Sequence, residues 1–142
     1  MLAQLPEFLA NHPLLTGSLV AVIGLIAYSE YQRLTRKYRI LPPAEAVRIM
    51  NQDNALVLDV REDNELVNGR IPGSRHIPLG ILQKRMEDIE RFKESPVLVV
   101  CRSGSRSAVA ASHLVRAGFT DVINLRGGIE AWQAASLPLK KK

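Results

Sequence analysis

Cysteine is almost absent from this chain: Cys101 is the only one in 142 residues. A lone cysteine rules out an intrachain disulfide, and no zinc or haem motif is present. Histidine is nearly as scarce, at three. His76 and His113 have neither metal-ligand spacing nor an evident partner, so each reads as a structural or surface residue rather than a base. No metal and no cofactor is expected. Aromatic residues make up 5% of the chain, and the single tryptophan, Trp132, reads as core filler. Basic and aromatic residues are not interleaved, so the net charge of +5 is not the footprint of a nucleic-acid surface. No internal repeat is visible. The length allows one domain, and the hundred or so residues after position 39 are enough for one packed core.

Charge is missing altogether from Phe8 to Ser29. A helix over that stretch, rising ~1.5 Å per residue, would reach about 33 Å, comparable with a hydrocarbon core of ~30 Å. The strictly apolar centre, Leu14 to Tyr28, is shorter and contains Thr16, Gly17, Ser18 and Gly24. So long an uncharged stretch is unusual beside a domain that already has its own complete pattern, which favours a membrane span over a core helix. A cleaved signal peptide would begin with basic residues, and Met-Leu-Ala-Gln-Leu-Pro-Glu has none. The basic residues follow the span: Arg33, Arg36, Lys37 and Arg39, against Glu30. The positive-inside rule then sets the N-terminus outside and the following domain in the cytoplasm, a reducing compartment that suits a free thiol. Tyr28, Tyr31 and Tyr38 fall in or near the interfacial belt. The juxtamembrane cations suit anionic headgroups, while Lys140 to Lys142 read as a solvated end. Gly17 and Ala21 have the spacing of a helix-pairing motif, a weak signal for a dimer. The chain therefore divides into a membrane anchor at 1–32 with its span at about 8–29, a basic linker at 33–41, a domain at 42–138 and a basic tail at 139–142.

Within the domain, short apolar runs (55–58, 97–100, 122–125) alternate with helical patterns (43–51, 80–93, 107–117, 128–135). That order predicts an α/β/α sandwich around a mostly parallel sheet. Pro43 sits near the first turn of its helix, Pro72-Gly73 predicts a type II turn, and Gly127-Gly128 a tight lead into the last helix. Asp59 and Arg61 fall at a strand's carboxyl edge, where they could pair with the loop that follows Cys101, as scaffold.

Cys101 lies where the β-branched run Val97-Leu98-Val99-Val100 gives way to Arg102-Ser103-Gly104-Ser105-Arg106 and then to a helical pattern ending at Gly118 as C′ residue. A strand, a tight loop and a helix in succession place the thiol beyond a strand's carboxyl end, facing unpaired helix N–H groups. A free thiol titrates near ~8.5, and a helix N-terminus with adjacent cations lowers that to roughly 3.5–7.5. Arg102 and Arg106 are suitable cations. Gly104 lets the backbone curl into an anion nest, and Ser103 and Ser105 can donate hydroxyl hydrogen bonds. The alternative fate of such a cysteine is an inert place in the core.

The loop from Cys101 to Ser107 closely resembles the active-site loop of the rhodanese sulfurtransferases, and further segments match that family in order. Asp59-Val60-Arg61-Glu62 resembles its Asp-Val-Arg-Glu motif. Gly69-Arg70-Ile71-Pro72-Gly73-Ser74, continued by His76-Ile77-Pro78-Leu79, resembles its Gly-His-Ile-Pro-Gly-Ala signature. Val122 to Gly128 followed by Trp132 resembles its Gly-Gly-helix-Trp ending. The resemblance covers about residues 40 to 138. It departs at Arg70, where the family usually has histidine, and at Ser136, where glycine often precedes the final Leu-Pro; both departures bear on local turns. Six residues from Cys101 to Arg106 resemble the sulfurtransferase loop rather than the longer loop of phosphatases sharing the fold.

The resemblance implies a sulfurtransferase. Cys101 would take a sulfane sulfur from a small anionic donor such as thiosulfate. Arg102, Ser103, Gly104, Ser105 and Arg106 would bind the donor. An acceptor thiol, cyanide or a protein cysteine would then remove the sulfur. A membrane-tethered module that docks a protein partner, with little or incidental turnover, is the competing reading, and it makes most sense for a partner that is itself a membrane protein. An intact Cys101 argues against docking alone.

Overall fold

The computed structural model describes residues 10–141. Contacts divide the chain into two units, one running to Arg36 and the other beginning at Lys37. The first contains one long helix, α1 (Pro13–Leu34), with proline in its first turn. Within it, Pro13–Gln32 is long and apolar enough to cross a membrane. Two of its serines bond back to the preceding turn: the Ser18 hydroxyl donates to the Leu15 carbonyl at 2.9 Å and that of Ser29 to the Ile26 carbonyl at 2.9 Å. Hydroxyls closed back on the preceding turn are tolerated in an apolar phase.

The second unit is built on five parallel strands: β1 (Arg39–Leu41), β2 (Leu56–Asp59), β3 (Arg75–His76), β4 (Pro96–Val100) and β5 (Asp121–Leu125), in the spatial order β1-β5-β4-β2-β3. The α/β/α sandwich with a parallel sheet expected from the sequence is the observed architecture. β2, β4 and β5 are the apolar runs of the sequence, buried on both faces because helices cover both sides. Alternation along β4 assigns the faces. Val97, Val99 and Cys101 join one core with Leu82 and Ile89, and with Ala110, Ala111 and Leu114 of α4 (Ser105–Arg116). Leu98 and Val100 join the other with Ala46 and Ile49 of α2 (Pro43–Met50), and with Ile129 and Trp132 of α5 (Gly128–Ala134).

Several boundaries differ from the sequence reading. The continuous helix expected over 80–93 is a short α3 (Leu79–Leu82) running into a 3₁₀ segment, Gln83–Phe92, broken at Arg85 (φ −110°, ψ 17°). Residues 39–41, inside the stretch read as linker, form edge strand β1. There Arg39 pairs with Asp121 (2.7 Å) instead of standing free as a juxtamembrane cation. The tail read as solvated is tied down at its start, where the Arg70 and Lys140 backbones exchange hydrogen bonds of 3.0 and 2.8 Å. The turn at Pro72-Gly73 has Gly73 at φ +75° and closes from Ser74 N–H to the Ile71 carbonyl at 3.1 Å, as expected. The end of α4 is also as expected. Gly118 at φ +94° donates to Val115 and Phe119 to Leu114, both at 3.1 Å, a Schellman cap.

Candidate active site

The site is assembled where β4 stops. Cys101 follows Val100 directly, its side chain is fully buried, and the chain curls through Gly104 (φ +104°) into α4. A residue with a Cβ rarely adopts that backbone angle, so the curl depends on glycine. It brings the Gly104 N–H to 3.1 Å from the Cys101 sulfur. The hydroxyl against the sulfur is not that of Ser103 or Ser105, which are both exposed. It is Ser107, fully buried on the first turn of α4, with Oγ 3.2 Å from Sγ. Ser107 in turn donates to Asn124 Oδ1 on β5 at 2.6 Å, and Asn124 Nδ2 donates to the Gly104 carbonyl at 3.1 Å. Parallel pairing that sets Val99 beside Asn124 puts this amide at the same sheet edge as the cysteine.

The loop rests on α5. Ile129 N–H donates to the Cys101 carbonyl at 2.8 Å and Glu130 N–H to that of Arg102 at 3.1 Å. Gly128 (φ +59°) lies in the approach between them, where a Cβ would be 2.5 Å from the Arg102 oxygen.

Both cations of the loop have carboxylate partners. Arg106 grips Glu65 through two 2.6 Å hydrogen bonds, and Arg102 meets the exposed Glu130 at 2.9 Å. Glu65 is presented by the 3₁₀ segment Asp63–Asn68. That segment is held by Arg61, whose guanidinium binds Asp59 in a buried pair (2.6 Å at the shortest) and donates to the carbonyls of Glu65 and Gly69. Asp59 and Arg61 are scaffold, as expected, but they reach the loop through Glu65 rather than directly. His76 has a partner after all, with Nε2 2.7 Å from the Arg61 carbonyl. A cleft of about 310 Å³ opens beside Arg102, lined also by Arg61, Glu65, Glu130 and Gln133.

The Arg106 hydrogen bonds, aided by the Glu62 N–H, hold Glu65 at about 2 instead of its ordinary 4.5, against the opposing cost of desolvation. Glu65 in turn raises Arg106. A carboxylate with a depressed folded value stabilises the fold above its unfolded pKa and loses that contribution as pH falls toward the folded one. Glu65→Gln should therefore lower the thermal midpoint at pH 7. The gap to the parent should narrow below pH 4.5 and close near pH 2. A gap of constant size across that range would assign the loss to packing rather than to the ion pair.

Residues 42–135 match the rhodanese-like domain. The chain is 31% identical over 137 residues to the uncharacterized protein YibN of Escherichia coli, across 96% of both chains, so that likeness runs through α1. It is 35% identical over 100 residues to the thiosulfate sulfurtransferase GlpE of Pseudomonas putida, covering 69% of this chain and 87% of that one. Among solved structures, a rhodanese-related protein from Thermoplasma volcanium superposes with a TM-score of 0.66 at 31% identity, over 74% of this chain and 100% of the other. With a buried cysteine cradled between a parallel strand and a helix, and relatives named as sulfurtransferases, this chain belongs to the rhodanese-like domain family.

Proposed function

We propose that the protein is a membrane-anchored sulfurtransferase that carries sulfane sulfur on Cys101, with Arg102, Ser103, Gly104, Ser105 and Arg106 forming the donor-binding loop. The observation that supports this most directly is the Gly104 N–H aimed at the buried sulfur from the start of α4. The Cys101 thiolate attacks the outer sulfur of thiosulfate. A new S–S bond forms, the donor's S–S bond breaks, and its electron pair leaves with sulfite. The persulfide keeps one negative charge on its outer sulfur, which the loop amides and the unpaired N–H groups of the first turn of α4 stabilise. An acceptor thiolate or cyanide then takes that sulfur and returns Cys101 as thiolate. No second cysteine exists to trap the persulfide as an internal disulfide, so the sulfur must leave on another molecule. Two half-reactions through a covalent intermediate give ping-pong kinetics.

Helix α1 anchors the domain, and the basic residues after it keep the domain on the cytoplasmic side. An acceptor protein at the same membrane is then within easy reach. Intact-mass measurement on the full chain after thiosulfate should register one added sulfur, removed by cyanide. Protease added to intact cells should leave the domain whole. A folded protein that gains no sulfur would make membrane-tethered docking the better reading, and cleavage in intact cells would reverse the topology.

A further inference from the structure

Four hydrogen bonds close a ring that includes the reactive sulfur and is buried except at Gly104. Sγ of Cys101 meets Ser107 Oγ, Ser107 donates to Asn124 Oδ1, Asn124 donates to the Gly104 carbonyl, and the Gly104 N–H returns to Sγ. Cys101 and Ser107 have no exposed surface, and Asn124 has 4%. The proton inventory of this ring is restrictive. Asn124 Nδ2 is committed to the Gly104 carbonyl, which fixes the amide so that Oδ1 faces Ser107. A carbonyl oxygen can only accept, so the single Ser107 hydrogen points at Asn124. Toward sulfur, Ser107 then offers only a lone pair. That arrangement fits a thiol, which donates its own hydrogen to Oγ. It does not fit an anionic sulfur, which would face the lone pair with no hydrogen between them.

We infer that Ser107 is a two-position hydroxyl, resting on Asn124 while Cys101 is a thiol and turning to donate to the sulfur when it becomes anionic. The turn is a rotation about Cβ–Oγ and moves no heavy atom. It supplies a charge-assisted hydrogen bond at the two points where the sulfur carries charge, the attacking thiolate and the thiolate released when an acceptor takes the sulfur. Asn124 is the positioning residue. It holds the hydroxyl when not in use, and through the Gly104 carbonyl it keeps the other donor of the ring aligned. This inference rests on the sulfur-transfer reading for its purpose, but not for its test.

Ionic groups on the elements around the ring have partners of their own. Arg106 of α4 is gripped by Glu65, Arg102 is paired with Glu130 of α5, and Asp59 at the end of β2 is paired with Arg61.

Cys101 is the only cysteine, so alkylation of the full chain in detergent by iodoacetamide reports on this sulfur alone. The pH midpoint of the rate is the useful quantity, because restricted access to a buried sulfur scales all rates alike. Ser107→Ala should raise the midpoint by about one pH unit, a tenfold loss of thiolate at a given pH below it. Ser107→Thr, which keeps the hydroxyl, should restore it. Ser107→Val, which has the shape of threonine without the hydroxyl, should also raise it, and this variant serves if Ser107→Ala does not fold. An unchanged or lowered midpoint in Ser107→Ala overturns the inference. So does a threonine variant that behaves like alanine, or an unchanged midpoint in Ser107→Val. No sulfur donor takes part, so a protein that forms no persulfide could still show these shifts, and one that forms it could fail to.

Discussion

Replacing Cys101 by serine is expected to abolish sulfur transfer while leaving the fold in place. The side chain is fully buried, but its neighbours are polar enough to accept an oxygen. The Gly104 N–H at 3.1 Å can donate to a serine Oγ, and Ser107 Oγ at 3.2 Å can accept from it. No charged or unsatisfied group is created, so the stability change should stay within about 2 kcal/mol. The chemistry is another matter. A hydroxyl is far less acidic than a thiol, and it forms no persulfide from a sulfane sulfur. Turnover of thiosulfate should fall by about 10³-fold or more. Two measurements on the same preparation decide it: a thermal melt within a few degrees of the parent, and an intact mass that no longer changes on incubation with thiosulfate. A serine variant turning over at the parent rate would remove Cys101 from the reaction.

The parts of this site that the sequence announces and those it hides differ for physical reasons. Cys101 and Gly104 are visible because a β-branched run, a small polar loop and a helical pattern follow one another directly. Each of those signals is local. Ser107 and Asn124 are not visible as a pair. One is the first buried residue of a helix, the other a polar residue in an apolar strand, and only the pairing of Val99 with Asn124 brings them to the same edge. A buried asparagine within Val-Ile-Asn-Leu was the available clue, since a polar side chain in a strand covered on both faces must find a partner. The neutralisation of Arg106 is hidden likewise, because Glu65 lies 41 residues away. Read from sequence, the two loop arginines are free cations awaiting an anion, whereas in the fold each is engaged by a carboxylate.

The same distinction runs through the scaffold. Strands β2, β4 and β5 stand out as apolar runs because both faces are buried. β1 and β3 are edge strands of three and two residues, containing Arg39 and Arg75-His76, and owe their form to a paired neighbour rather than to their own composition. Over 79–92 the apolar positions Leu79, Leu82, Met86 and Ile89 recur at three and four residues, a spacing that α and 3₁₀ turns both satisfy, so the break at Arg85 leaves no trace in the pattern. Ser136, where the family often has glycine, does adopt the left-handed angle that glycine favours (φ +57°). There Ser136 donates to Gln133 at 2.9 Å and Leu137 to Trp132 at 3.2 Å, capping α5 with a residue less suited to the angle.

Gly128→Ala should be the most damaging single-methyl substitution in the domain. Two costs coincide there. The backbone angle of φ +59° is unfavourable for any residue with a Cβ, by about 1–2 kcal/mol. The new methyl would also press on the carbonyls of Cys101 and Arg102, lying 2.5 Å from the Arg102 oxygen and 2.6 Å from its carbon. These are backbone atoms that Ile129 and Glu130 hold by hydrogen bonds of 2.8 and 3.1 Å, so they cannot swing aside as a flexible side chain would. Overpacking of this kind adds about 1–3 kcal/mol, for a combined loss of about 2–5 kcal/mol. The loop that yields is the one that aims Gly104 at the sulfur, and a displacement near 1 Å in such a site costs roughly 10²-fold in rate. Gly73→Ala is the matched control. It has a similar positive angle, φ +75°, yet a Cβ there meets nothing within 4 Å. It should lose only the backbone contribution and keep full turnover per folded molecule. Urea unfolding with thiosulfate turnover normalised to the folded fraction separates the two effects. Equal activity per folded molecule in both variants would mean that α5 supports the fold without setting the geometry of the loop.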